Sequence, residues 1–154
     1  MSDYILNMRK LVGHRPILQC GASVILINDH DEILLQRRRD NGLWAYHGGS
    51  VELNEVVEEA AARELFEETG LIAEELTLLG VFSGEDMRYV YPNGDEVSNI
   101  DLVYLCRKYS GNLRAQEDEV SELRFFPLSA LPKAEEISPP NRKALFQFVS
   151  KFKK

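Results

Sequence analysis

Cysteine is scarce in this chain: Cys20 and Cys106 are the two in 154 residues. Both sit in apolar surroundings that look like strands, which favours buried free thiols over a disulfide or a nucleophile, and neither is assigned any chemistry. Long apolar runs are missing too. No stretch approaches the roughly 18 residues that span a bilayer, and the first ten residues lack the apolar run of a secretory signal. The expected location is therefore cytoplasmic, with no membrane partner. Positive charge is in the minority, 18 Lys and Arg against 25 Asp and Glu, for a net charge of −7. That balance argues against a protein that holds extended nucleic acid by a broad basic surface. It leaves a phosphorylated small molecule open, because a bound metal ion reverses the local potential around acidic side chains. There is no internal repeat and no low-complexity segment.

What is present is enough apolar material, 44% of residues, for one sizeable core, so residues 1–154 are read as a single domain. The most informative stretch runs from Gly49 to Leu71. Glu64, Glu67 and Glu68 stand at i, i+3 and i+4, which on a helix places all three on one face. Val57, Ala60 and Ala61 share that face, so acids occupy a stripe that an ordinary amphipathic helix turns to its core. Three like charges so close repel one another and call for a cation. Oxygen ligands without His or Cys nearby favour a hard divalent ion, Mg²⁺ or Mn²⁺; the alternative is a solvated acidic face. Asn54 is a good N-cap for a helix starting at Glu55, and Gly70 suits its C-terminal turn.

The stretch fits G-x5-E-x7-R-E-U-x-E-E-x-G-U, with U aliphatic, at Gly49, Glu55, Arg63, Glu64, Leu65, Glu67, Glu68, Gly70 and Leu71. This resembles the Nudix box, the signature of the Nudix hydrolase superfamily. The likeness extends over roughly residues 17–132, through Leu34-Leu35-Gln36-Arg37-Arg38, Gly42-Leu43-Trp44 and Gly48-Gly49 upstream and Glu122–Phe126 and Leu131-Pro132 downstream. It implies an α/β fold, a mixed β-sheet sandwiched between α-helices. It also implies that Glu55 and Arg63 pair to brace the loop, that Glu64, Glu67 and Glu68 hold the metal with the Gly48 carbonyl as a further ligand, and that Glu64 or an outside carboxylate accepts the proton of water. Glu117 is the first choice for that outside group and Glu119 the second. One departure is His47, where many relatives have proline: it is read as a structural substitution or as a phosphate contact.

Alternation of apolar and polar residues predicts strands over Ile17–Asn28 and Ile33–Arg37, joined as a hairpin, a short extended piece at Leu43–Tyr46, and strands at Leu76–Phe82, Arg88–Tyr91, Val97–Arg107 and Leu123–Pro127. Pro92-Asn93-Gly94-Asp95 marks a second hairpin turn. Helical spacing recurs from Asn141 to Phe152.

The resemblance implies hydrolysis of a nucleoside diphosphate linked to another moiety: a nucleoside triphosphate, an oxidised nucleotide or a nucleotide sugar. Arg37 and Arg38 are candidates for phosphate or base contacts, although neighbours on a strand point to opposite faces. Tyr89 and Tyr91 could stack on a base or simply pack across strands, and Trp44 is read as core. The competing readings are a regulatory domain that binds nucleotide without cleaving it, and a scaffold that docks partners on the acidic helix. The apolar N-terminal residues Tyr4, Ile5, Leu6, Met8, Leu11 and Val12 could pack on the domain or on a second subunit as a homodimer.

Overall fold

Strand β1 (Ile17–Leu26) shows why a mixed sheet forms. In the computed structural model, which describes residues 3–152, its second half is buried on both faces. Val24 and Leu26 face one side, Ile25 and Ile27 the other, so the run has no polar alternation. Its two edges are both taken. β7 (Glu96–Gly111) pairs with it in parallel from Ile17↔Val97 to Leu26↔Cys106, and β4 (His47–Ser50) pairs antiparallel from Gly21↔Ser50 to Val24↔His47. β5 (Leu71–Phe82) and β6 (Arg88–Val90) complete this sheet along β7.

Because β1 has no free edge, β2 (Glu32–Arg38) cannot continue the hairpin that the sequence predicts. Residues 28–32 do turn back, with the Asn28 N–H donating to the Glu32 carbonyl at 3.0 Å and a single bridge at Ile27↔Ile33. The strands then part, and β2 pairs with β3 (Trp44–Ala45) and β8 (Val120–Pro127) in a second, antiparallel sheet. The hairpin of β6 and β7 around Pro92–Asp95 forms as predicted.

Helices cover both sides. α2 (Val57–Thr69) lays Ala60, Ala61 and Leu65 against Ala22, Val24, Leu26 and Leu34. α3 (Pro139–Phe152) lays Leu145, Phe148 and Val149 against Ile25, Ile27, Ile33 and Leu35, with Trp44 in the same core. Each leucine fully buried this way stabilises the fold by roughly 1.5–3 kcal/mol. α2 ends at Gly70, whose φ of 77° is left-handed and whose N–H donates to the Phe66 carbonyl at 2.8 Å.

Two local expectations are corrected and one open reading is decided. The helix starts at Val57, not Glu55: Asn54 has a positive φ of 65° in the preceding turn, and Val56 occupies the N-cap position with no side-chain cap. Cys20 is exposed, because the first half of β1 is covered on one face only; Cys106 is buried. The N-terminal segment is a helix, α1 (Asp3–Val12), which the polar interruptions at Asn7, Arg9 and Lys10 obscured. It packs on its own domain: the Tyr4 N–H donates to Glu52 Oε1 at 3.2 Å and Arg9 Nη2 to the Glu96 carbonyl at 2.7 Å. Among the described residues no helix is long and apolar enough to cross a membrane.

Candidate active site

α2 and β4 meet where glycine is required. A Cβ on Gly49 would lie 2.4 Å from the Glu64 carboxyl carbon, and one on Gly48 would lie 2.2 Å from Ser23 Oγ. Gly48 leaves no room for a side chain beside β1, and a side chain at Gly49 would displace the end of Glu64. Glu68 is 5% exposed and Glu64 8%. Glu68 accepts hydrogen bonds from Gln36 Nε2 at 2.6 Å and from the Gly48 N–H at 3.3 Å. Burial, followed by the neighbouring Glu68 charge, pushes Glu64 up to about 8; burial pushes Glu68 up to about 7 against the pull of its donors. The buried pair, Glu64 foremost, therefore holds protons at neutral pH that exposed glutamates would have lost.

Glu67, the third acid of the row, is turned outward. Its carboxylate lies 3.3 Å from Arg63 Nη1, which also reaches Glu64 Oε1 at 3.0 Å. Arg63 binds Glu55 in two-pronged fashion, Nε to Oε2 at 2.7 Å and Nη2 to Oε1 at 3.0 Å, and Nη2 donates to the Ser50 carbonyl at 3.3 Å. Glu55 also accepts from the Glu52 N–H at 3.0 Å, and its pKa falls chiefly through the Arg63 bond. The Arg63–Glu55 brace that the resemblance implies is therefore present, and the same guanidinium offsets the repulsion along α2. Among the described residues no three His, Cys, Asp or Glu side chains already converge as a metal cage.

Glu64, Glu68 and Gly48–Gly49 line a cavity of about 440 Å³, which Arg38, Arg39, Asp118 and Glu119 also border; Glu67 and Glu55 do not line it. Arg38 is held by Asp40 through Nε–Oδ1 at 2.9 Å and Nη2–Oδ2 at 2.7 Å. The remaining expected residues divide. Arg37 projects to the opposite face of β2, donates to the Gly42 carbonyl at 3.1 Å and reaches neither this cavity nor its smaller neighbour. Glu117 also lies off both cavities; its backbone carbonyl accepts from Arg39 Nε. Tyr89 borders the smaller cavity, of about 90 Å³, packs edge-on against Tyr91 at 4.9 Å and accepts from Asn41 Nδ2 at 2.9 Å.

His47 corrects the expectation of a phosphate contact, since its ring has no exposed surface. Nε2 lies 3.0 Å from the Leu34 carbonyl and so carries the proton, while Nδ1 has no hydrogen-bond partner and sits 3.7 Å from Glu68 Oε1. Burial lowers its pKa to about 4, so the ring is neutral and acts as packing behind Glu68.

Sequence reasoning missed Gln36 and the buried Asp101, which accepts from Ser23 Oγ at 2.7 Å and Tyr46 Oη at 3.0 Å. The available signal was a polar residue inside an otherwise apolar strand. Ile5 and Leu6 of α1, legible only as an apolar packing face, and Arg9 also line the cavity.

The family model of the NUDIX domain matches residues 18–148. The chain belongs to the Nudix family. It is 39% identical over 136 residues to an ADP-ribose pyrophosphatase of Methanocaldococcus jannaschii, covering 86% of this chain and 76% of that protein. Over a shorter stretch of 62 residues it is 47% identical to a putative 8-oxo-dGTP diphosphatase of Bacillus subtilis, covering 40% of this chain and 42% of that one. Among solved structures, a MutT NUDIX hydrolase from Burkholderia pseudomallei superposes with a TM-score of 0.71 at 32% identity, over 85% of this chain and 98% of that one. The Nudix box, the mixed sheet between helices and these relatives make the chain a Nudix hydrolase, a pyrophosphohydrolase of nucleoside diphosphates linked to another moiety.

Proposed function

We propose that this Nudix hydrolase cleaves the diphosphate of a nucleoside diphosphate sugar, with ADP-ribose the first compound to test, and that Mg²⁺ or Mn²⁺ held at Glu64, Glu67 and Glu68 is its cofactor. The observation that carries the reading is the pair of buried carboxyls, Glu64 and Glu68, pressed against Gly48–Gly49 at the wall of a nucleotide-sized cavity. The residues fit a hard divalent ion. The donor set is oxygen only, the Gly48 carbonyl being available beside the acids, and two acids kept protonated by burial and proximity are a site where a cation would replace protons. A bound divalent ion would neutralise phosphate oxygens and lower the pKa of the attacking water.

The chain's own residues do the rest. Arg63 and Glu55 fix the loop against α2, so the acids keep their place relative to the backbone of β4. Arg38, oriented by Asp40, and Arg39 present guanidinium groups to the cavity, where a diphosphate carries its charge. Glu64 is one proton acceptor for water. Glu119 and Asp118, which border the cavity, replace Glu117 as the outside alternative.

A second reading, hydrolysis of an ordinary or oxidised nucleoside triphosphate, draws support from the Bacillus subtilis relative and the MutT structure. One panel separates them: monophosphate release from ADP-ribose, from nucleoside triphosphates and from oxidised dGTP, each with Mg²⁺ and with chelator. AMP and ribose 5-phosphate formed from ADP-ribose at kcat/KM of about 10⁴ M⁻¹s⁻¹ or more supports the first reading. Turnover confined to triphosphates supports the second, and no metal-dependent turnover of any compound sinks both.

A further inference from the structure

α1 lies ahead of the matched Nudix residues, which begin at 18, yet Ile5, Leu6 and Arg9 line the main cavity. The helix is tied down on either side of these residues. Near its start the Tyr4 N–H holds Glu52, in the loop that leads to the carboxylates. Five residues on, about 7.5 Å along the axis, Arg9 holds the β6–β7 turn.

Arg9 does not offer its charge to a ligand. Its guanidinium donates to the carbonyls of Gly13 at 3.0 Å, Arg15 at 2.7 Å and Glu96 at 2.7 Å, and lies 3.7 Å from Asp95. His14 Nδ1 stands 2.6 Å from the same Asp95. These contacts fasten α1 to the turn, and between them the cavity wall is apolar and aromatic: Ile5 and Leu6 from the helix, Tyr91 and Pro92 from the turn, Val97 from β7. Gln19 and Asn93 add amides at its border. Leu6 is 42% exposed, a large apolar side chain that the fold itself leaves uncovered beside the cavity.

We propose that α1 and the β6–β7 turn form the nucleoside compartment of the site, with the base held against Ile5, Leu6 and Tyr91 and the phosphates toward Gly48–Gly49. This rests on the nucleotide reading above. Apolar and aromatic surfaces take the flat faces of a base, and amides read its edge. Arg9 is a positioning residue in this scheme: it holds the helix and touches no substrate.

The test is calorimetric binding of AMP, GMP and ribose 5-phosphate to the full chain in Mg²⁺, comparing the unaltered protein with Leu6→Glu and Leu6→Ala. Ribose 5-phosphate keeps the sugar and phosphate and lacks the base. The expected result is nucleotide affinity reduced about tenfold or more in Leu6→Glu and less in Leu6→Ala, with ribose 5-phosphate binding and the melting temperature unchanged. Nucleotide affinity unchanged by both substitutions, an equal loss for ribose 5-phosphate, or no binding of either nucleotide to the unaltered protein would overturn the proposal. ADP-ribose and triphosphate turnover, followed in parallel, keeps the two claims apart. Absent turnover with nucleotide binding lost in Leu6→Glu would sink the hydrolysis reading and leave the base compartment standing.

Discussion

The buried carboxyls and the glycines they press against come from one continuous piece of chain, Gly48 to Gly70, while the attachment of α1 joins segments more than eighty residues apart, Arg9 with Glu96 and His14 with Asp95. In the first, the spacing of side chains is set by helix geometry, so the acids fall on one face wherever the helix forms. In the second, nothing local fixes who meets whom; the contacts exist only once β7 has paired with β1 and β6. On the proposed assignment, the reaction chemistry draws on short-range order and recognition on long-range order. The two should fail separately when altered.

The largest effect is expected at the buried carboxyls. Glu68→Gln keeps the shape and the Gln36 contact region but removes a charge, and kcat should fall by about 10² or more with the melting temperature retained. Activity within a few-fold of the unaltered enzyme would remove Glu68 from the metal site.

A second test uses pH without substrate. In the metal-free protein Glu64 and Glu68 keep their protons to about 8 and about 7, whereas the unfolded chain loses them near the ordinary glutamate value. Acids with raised folded pKa values stabilise fully below the unfolded value and lose that contribution as pH rises through the folded one. His47, lowered to about 4, acts oppositely below its ordinary value of 6.5, since there only the unfolded state takes its proton. From 4.5 to 6.5 His47 cancels one of the two acid terms, so the fall should be steepest between about 6.5 and 7 and continue to about 8 at roughly half that slope, on the order of 1 kcal/mol per pH unit. Thermal melting in chelator measures it. Added Mg²⁺ should flatten the slope, as should Glu68→Gln; a melting temperature that rises across this window contradicts the protonated pair.

In α1, Arg9→Gln loosens the helix from the turn, and KM for ADP-ribose should rise about five- to tenfold with kcat within about threefold. A fall in kcat alone would place α1 in the chemistry instead. The smallest effects separate the acidic loop: Glu119→Gln should lower kcat several-fold and Glu117→Gln by less than about twofold, the order read from steady-state rates. The reverse order would return the role to Glu117, whose side chain lies off the cavity.

The same division decides what could be read from sequence. The box, the helix it rides on, its Gly70 end and the Arg63–Glu55 brace are all near neighbours in the chain, and the hairpin at Pro92–Asp95 has its own turn signal. The β1–β2 pairing was misread because a turn at residues 28–32 looks the same whether its strands stay together or part into two sheets. For His47 the structural reading holds and the phosphate contact does not. Its neighbours Gly48 and Gly49 face the acids, but strand alternation and the packing of Leu34 turn the ring inward. The apolar residues of α1 were legible as a packing face, but not as a cavity wall, because that wall is completed by residues far along the sequence.

The most direct measurement is kcat and KM for ADP-ribose with Mg²⁺ in Glu68→Gln and Leu6→Glu side by side. Separate roles predict that Glu68→Gln loses kcat with little change in KM, while Leu6→Glu raises KM and keeps kcat. Both substitutions moving the same parameter would contradict the division between a local chemical part and a long-range recognition part.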